Sequence, residues 1–174
     1  ATTLAFKDVT AALGGDLVEI SGANGVFLLT PAGLAGEVSA TVTLGSALAG
    51  VVSFGSGVTF ALQINQTGVE QTKTITFGDG SELELALEAG NFIRVEVGAA
   101  VAGEPFLILG GGALELGGTF FFEQRTDLGA DGVVGGTAAN ADTTATTLAF
   151  QNAFAAFAGG IVEVGNANGI FLLT

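Results

Sequence analysis

The acidic loop near the end of the chain holds the residues best suited to binding a metal ion. Asp127 and Asp131 lie four residues apart in the glycine-rich segment 125–136, and Asn140 and Asp142 follow it. Ca²⁺ prefers carboxylate and carbonyl oxygens, so Asp127 and Asp131 form a calcium hypothesis. The segment lacks the alternating ligands and the closing glutamate of an EF-hand, and an Asp-Gly turn is the simpler explanation. No other cofactor is expected.

A second candidate for chemistry is a set of glutamates on one face of a predicted hairpin over residues 81–98. Paired carboxylates hydrolyse glycosidic bonds, but here the glutamates alternate with leucines, as on a solvated strand face. The chain also lacks the Trp and Tyr on which sugars stack. The glutamates are Glu82, Glu84, Glu88 and Glu96. Separately, Asn65-Gln66-Thr67 matches the short N-glycosylation triplet.

The composition excludes several classes of function. The 174 residues include no His, Cys, Met, Trp or Tyr, which excludes a thiolate nucleophile, a disulfide framework, zinc or haem ligation and a Ser-His-Asp triad. Seventeen acidic residues face four basic ones, a net charge of −13, so nucleic acid is not expected as a partner. No apolar stretch reaches the roughly 18 residues of a transmembrane helix.

The two ends of the chain are copies of one another. Residues 1–30 align with residues 145–174 without a gap, at an offset of 144 and with 18 identities. The sequence therefore predicts one complete repeat unit over 1–144, followed by the start of the next unit over 145–174. We expect such a segment to come from a longer tandem array.

The elements that position these residues are predicted to be strands. Apolar and polar residues alternate with a period of two wherever a pattern is visible, as in Glu37–Leu44 and Val58–Asn65. Asn24-Gly25 is typical of a two-residue hairpin turn, and the loops 78–80 and 89–91 predict two further hairpins. The last of these would place Arg94 opposite Ala86, between Glu84 and Glu88 on the diagonals.

These patterns predict an all-β fold with negligible helix. We expect an antiparallel β-sandwich or barrel-like repeat unit, stacked in a tandem array. Charged residues make up only 12% of the chain, and Phe120-Phe121-Phe122 is apolar on both faces of a strand. Such a surface needs a neighbour, so residues 145–174 are expected to continue a sheet of residues 1–144 or to cover its apolar end.

Residues 25–44, GVFLLTPAGLAGEVSATVTL, and the recurrence GIFLLT give the chain a family resemblance. It resembles the tandem β-rich repeats of very large secreted or surface-attached bacterial proteins. The resemblance implies a non-catalytic structural repeat of an extracellular fibre, stalk or surface filament, whose partners are neighbouring copies of itself. The alternatives are an outer-membrane β-barrel segment and a carbohydrate-binding or hydrolytic β-domain. Barrels need aromatic girdles, so a membrane partner is not expected.

Overall fold

The computed structural model describes residues 1–14, 17–45, 48, 50–129 and 141–174. Strands make up 72% of the structure and helix 1%, and the prediction of an all-β fold is confirmed. No helix in these ranges is long and apolar enough to cross a membrane. The strands are β1 (Thr2–Leu13), β2 (Val18–Thr30), β3 (Gly33–Leu44), β4 (Val52–Ser53), β5 (Val58–Asn65), β6 (Gln71–Thr76), β7 (Glu82–Leu87), β8 (Asn91–Ala99), β9 (Pro105–Leu109), β10 (Leu114–Asp127), β11 (Thr143–Phe157) and β12 (Val162–Leu173).

One large antiparallel sheet carries most of the chain. Its main path runs β1-β2-β3-β5-β8-β10-β11-β12, with β9 pairing β10 and the short β4 pairing β9. Most strands that pair along this path also follow one another in the sequence. The exceptions are the pairs β3–β5, β5–β8 and β8–β10, which bring more distant parts of the sequence together. Residues 145–174 continue this sheet beside β10, as one of the two expected arrangements.

A small second sheet of β6 and β7 covers part of the large one. The two strands form the hairpin predicted from the loop 78–80, with Thr76 opposite Glu82 and Gln71 opposite Leu87. Leu85 and Leu87 point down onto Val26, Leu28 and other apolar side chains of the large sheet. These residues are almost fully buried and form the main hydrophobic core of the described chain.

The strict alternation of side chains gives the large sheet two different faces. On the covered face, which meets the small sheet, one row of residues is mostly polar: Glu37, Gln63, Arg94, Glu123 and Thr147. On the opposite face, which we call the apolar face, the adjacent row runs from β3 to β12 with large apolar side chains only. This row consists of Val38, Leu62, Val95, Phe122, Leu148 and Phe171.

The two copies of the repeated segment have the same strand register. Thr2 pairs with Leu29 and Leu13 with Val18 in the first copy, while Thr146 pairs with Leu173 and Phe157 with Val162 in the second. The irregularities in pairing also fall at equivalent residues. The division of the chain into repeat units stays a prediction. The two strands of the repeated segment, however, pair in the same way in both copies.

The predicted turn at Asn24-Gly25 is wrong. Both residues lie inside β2, which runs on through them, and neither has a positive φ. The left-handed residues are instead Asp8 and Gly22, which mark a bulge on each strand of the hairpin. The chain reverses direction earlier, between Leu13 and Val18.

The predicted pairing of β7 with β8 is also wrong. These consecutive strands belong to different sheets, because β7 pairs with β6 whereas β8 lies between β5 and β10. Arg94 consequently stands opposite Gln63 and Glu123, not opposite Ala86. Alternation along β7 correctly predicts that Leu85 and Leu87 are buried, but the face predicted for β8 is wrong, because Phe92 is buried and Ile93 is exposed. Alternation also carries no information about which strands pair.

Candidate assembly interface

The repeated segment joins the rest of the chain through a long strand pair. β10 and β11 form thirteen residue pairs, from Leu114 opposite Phe157 to Asp127 opposite Thr143, with one shift of register between Gly117 and Thr119. Phe120, Phe121 and Phe122 stand opposite residues 148–150 of the second copy. The run that is apolar on both strand faces therefore lies where the sequence predicts contact between units.

Aromatic rings cross this junction on the apolar face. Phe106 of β9, Phe120 of β10, Phe150 of β11 and Phe171 of β12 follow one another with ring centroids 5.6, 6.5 and 6.1 Å apart. We call this series the aromatic ladder. Within the first copy, Phe6 and Phe27 repeat its last step, at 6.5 Å. Aromatic pairs on neighbouring strands stabilise a sheet and help to fix its register.

Two glycines let β11 approach β10 closely. A Cβ at Gly117 would overlap the ring of Phe154, whose Cδ1 atom lies 2.8 Å from that position. At Gly118, which has a φ of 112°, a Cβ would lie 2.6 Å from the Cα of Ala153. The same pattern of a ring over a glycine recurs at Phe150 and Gly169 within the second copy. Gly117 and Gly169 thus each accommodate a phenylalanine ring, and Gly118 accommodates the backbone of Ala153.

An asparagine fixes the bulge in each copy of the hairpin. Asn24 Oδ1 accepts a hydrogen bond from the amide of Asp8 at 3.1 Å, and Asn24 Nδ2 donates to the carbonyl of Gly22 at 2.7 Å. Asn168 makes the equivalent bonds to Asn152 and Asn166 at 2.9 and 3.0 Å. The Asn-Gly pair is therefore retained in both copies for the geometry of a bulge inside a strand pair.

A network of two arginines and two glutamates on the covered face joins β8 and β10 to Glu88, the residue that follows β7. Arg94 Nε donates to Glu123 Oε2 at 2.9 Å, and its Nη2 contacts Glu88. Arg125 Nη2 donates to Glu88 at 2.7 Å, and its Nε donates to Glu123 at 3.3 Å. Each carboxylate thus bridges both guanidinium groups. Gln63 extends the network by accepting from Arg94 at 3.0 Å and donating onward to Glu37 at 3.2 Å.

The network changes the protonation of both glutamates. The hydrogen bond from Arg94 is the main cause that lowers the pKa of Glu88, and the charge of Arg125 lowers it further. Burial raises the pKa of Glu123, but the hydrogen bonds and charges of Arg125 and Arg94 outweigh it, so that pKa is also lowered. Both carboxylates are thus held in the charged form, which suits a structural ion pair better than a proton donor.

The ring of Phe92 packs against the guanidinium groups of both arginines. The guanidinium carbons of Arg94 and Arg125 lie 4.9 and 5.0 Å from the centre of its ring, and Phe92 itself is buried. These cation–π contacts fix the arginine planes. The sequence predicted only one contact of this network, Arg94 with Glu88. It did not connect Glu123 and Arg125 with them, although these two residues are two apart and so share a strand face. Their partners come from strands distant in sequence, which that spacing does not reveal.

Asn65, the first residue of the glycosylation triplet, has a structural role. It is fully buried, and its Nδ2 donates to the carbonyls of Val69 and Glu88 at 2.8 and 2.9 Å. Its Oδ1 accepts from the amide and the hydroxyl of Thr67. The amide nitrogen that a glycan would need is occupied and inaccessible in the folded chain.

The structure describes only one of the two aspartates of the calcium hypothesis. Asp127 is the exposed last residue of β10, opposite Thr143 of β11, whereas Asp131 and Asn140 lie outside the described residues. Within the described ranges, no group of three or more acidic side chains is arranged to hold a metal ion. Calcium binding at Asp127 and Asp131 therefore stays a hypothesis.

The chain was compared with protein-family models, with curated proteins and with solved structures. None of the three comparisons finds a match.

Proposed function

We propose that the chain is a structural repeat of an extracellular fibre, stalk or surface filament and that it has no catalytic activity. Its partners are neighbouring copies of the same unit, which it joins through strand pairing and apolar contact. The observation that carries this proposal is the β10–β11 junction, in which the copied segment extends the sheet of the preceding residues over thirteen pairs.

The chemistry at the junction suits a permanent contact. At the centre of the junction, Phe120, Phe121 and Phe122 face Phe150, Ala149 and Leu148, and the aromatic ladder passes from Phe120 to Phe150 without interruption. Apolar contacts of this kind persist when the salt concentration changes, because they do not depend on opposite charges. The polar network around Arg94 lies on the other face, where its glutamates are held ionised as structural partners.

The exposed apolar surface supports assembly rather than an isolated domain. Leu148 and Phe171 on the apolar face, and Ile170 and Leu172 on the opposite face, are all more than two-fifths exposed. Large exposed apolar patches mark interaction surfaces. An isolated unit with so few charged residues would aggregate, whereas a unit in a continuous sheet has this surface covered by its neighbours.

Two measurements test the proposal. Immunogold labelling of intact source cells with an antibody raised against residues 1–174 is expected to decorate filaments or stalks at the surface. Negative-stain microscopy of the native material should show fibres without added detergent. Labelling only after cell lysis would contradict the extracellular role. Particles that need detergent would favour the outer-membrane alternative, and hydrolysis or binding of polysaccharides would favour the carbohydrate-active one.

A further inference from the structure

The last strand, β12, is a copy of β2 placed in a different environment. Nine of the thirteen residues of β2 recur at an offset of 144, including the run Phe171, Leu172, Leu173. β2 is paired on both sides, with β1 and β3, whereas within the described residues β12 pairs only with β11. The outer edge of β12 therefore offers the hydrogen-bonding groups that β2 uses to bind β3.

Equivalent side chains on the two strands differ sharply in exposure. Val26 is fully buried, but its counterpart Ile170 is 72% exposed. Leu28 is 7% exposed, and its counterpart Leu172 is 65% exposed. In the first copy, this cover comes from β3 and from Leu85 and Leu87 of the β6–β7 hairpin.

The contact between β2 and β3 also has a specific packing signature. The ring of Phe27 lies over Gly36 of β3, so that a Cβ at Gly36 would overlap the ring and approach the carbonyl oxygen of Val26 at 2.8 Å. The counterpart Phe171 ends the aromatic ladder and is 58% exposed. Its ring is placed to receive a glycine on the next strand.

We infer that the outer edge of β12 binds β3 of a second copy of residues 31–127, in the register that β3 has on β2, so that β11 and β12 take the places of β1 and β2 for that copy. Phe171 then lies over Gly36 of that copy, Leu172 stands opposite Ala35, and the copy's β6–β7 hairpin covers Ile170 and Leu172. This inference rests on the proposed function and deepens it by naming the partner strand and its register.

A different occupant is β12 of another chain, in an antiparallel pair of two identical edges. Such a pair would place a second β12 against Phe171, and its Gly169 could not receive that ring, because it already lies under Phe150. It would also leave Ile170 and Leu172 without the hairpin that covers their counterparts. The recurrence of the β2 sequence thus favours β3 as the partner.

The test extends the full chain by a second copy of residues 31–127 after Thr174, so that the original 174 residues remain intact. Hydrogen–deuterium exchange is measured for the peptide that covers β12, with and without the extension. We expect the extension to slow exchange in β12 about tenfold or more, since its outward amides become hydrogen-bonded. Unchanged exchange in β12, with the appended copy itself protected, would overturn the inference.

Cysteine pairs test the register, because the chain has no cysteine of its own. In the extended chain, Leu172→Cys combined with Ala35→Cys in the appended copy is expected to form a disulfide, since Leu28 and Ala35 are direct partners. The matched control replaces Leu34 instead, which points to the opposite face and should not cross-link. Equal cross-linking of both pairs contradicts the register. In unextended chains that carry Leu172→Cys alone, a disulfide that joins position 172 of two chains would identify the β12–β12 pair instead.

A packing variant completes the test. Gly36→Val in the appended copy is expected to abolish the protection of β12, because the new side chain would collide with the ring of Phe171. The matched control Ser39→Val, at an exposed position of the same strand, should leave that protection intact. These measurements report only which strand pairs with β12 in solution. Failure of the fibre proposal, by contrast, would appear in the labelling of cells.

Discussion

The backbone amide of Asn152 donates a hydrogen bond of 2.9 Å to the side-chain oxygen of Asn168 on the neighbouring strand. The equivalent pair in the first copy, Asp8 and Asn24, is joined in the same way. In both copies the residue that donates has a positive φ, near 50°. The asparagine thus holds open a bulge that an ordinary strand pair would not keep.

We expect Asn24→Ala to lower the free energy of unfolding by about 1 kcal/mol, since it removes both hydrogen bonds to the bulge. The measurement is the midpoint of urea denaturation. Asn166→Gly is the matched control: it introduces the residue found at the equivalent position 22, where φ is also positive, and should not destabilise the chain. Equal losses in both variants would contradict a specific role of Asn24.

Gly117→Val is expected to destabilise the β10–β11 junction by about 1–3 kcal/mol, because the new side chain collides with the ring of Phe154. The thermal midpoint, followed by circular dichroism, should fall. The control Gly165→Ser introduces the residue found at position 21, and no atom lies within 4 Å of its Cβ position. An unchanged midpoint for Gly117→Val would show that the ring does not pack as described.

Ala158→Gly is expected to stabilise the chain by up to about 1 kcal/mol. Ala158 has a φ of 52°, a left-handed conformation that costs an alanine free energy and costs glycine none. Its counterpart Gly14 has a φ of 66°, so Gly14→Ala should destabilise the first copy by a similar amount. Thermal unfolding of the two variants should give shifts of opposite sign. Shifts of the same sign would contradict this backbone argument.

Stability is expected to fall as the pH decreases from about 5 towards 3. The pKa values of Glu88 and Glu123 are lowered in the folded chain relative to 4.5. In this range the unfolded chain therefore binds more protons, and the stability contributed by these carboxylates is lost as the pH falls through their folded pKa values. Glu123→Gln should make the dependence of the unfolding free energy on pH shallower.

The control for this pH prediction is Glu84→Gln, which removes the same charge from an exposed position of β7, outside the network. Its pH dependence should match that of the unmodified chain more closely than Glu123→Gln does. If both variants flatten the curve equally, the effect comes from net charge and not from the contacts with Arg94 and Arg125.

The sequence predicts the strands well because alternation is a local property. Glu37–Leu44 and Val58–Asn65 are strands as expected, and the loop 78–80 closes a hairpin. It fails at Asn24-Gly25 because the same two residues suit a tight turn and a bulge. In the structure, Gly25 and its counterpart Gly169 instead lie under the rings of Phe6 and Phe150 on the neighbouring strand, a contact that the local sequence pattern does not reveal.

Partner choice is the part of the fold that local patterns do not contain. β7 and β8 are neighbours in the sequence and both alternate, yet β8 pairs with strands that lie about thirty residues away on either side. For the same reason, Arg94 meets the predicted Glu88 but not Glu84, and its other partner is Glu123. The candidate interface was easier to predict, because the duplicated segment and the Phe120–Phe122 run are visible without knowing the pairing.

The number of strands between β1 and its copy β11 determines how successive units of a tandem array would be oriented. Six antiparallel strands of the main path, from β1 to β10, precede β11, so β11 runs the same way as its copy β1. Successive units are then related by a screw motion of about 29 Å, six strand spacings, and never by a two-fold axis. In such an array the contacts between units would be head to tail, and the two ends would present different strand edges. A fibre built in this way has one end that an anchor can distinguish from the other.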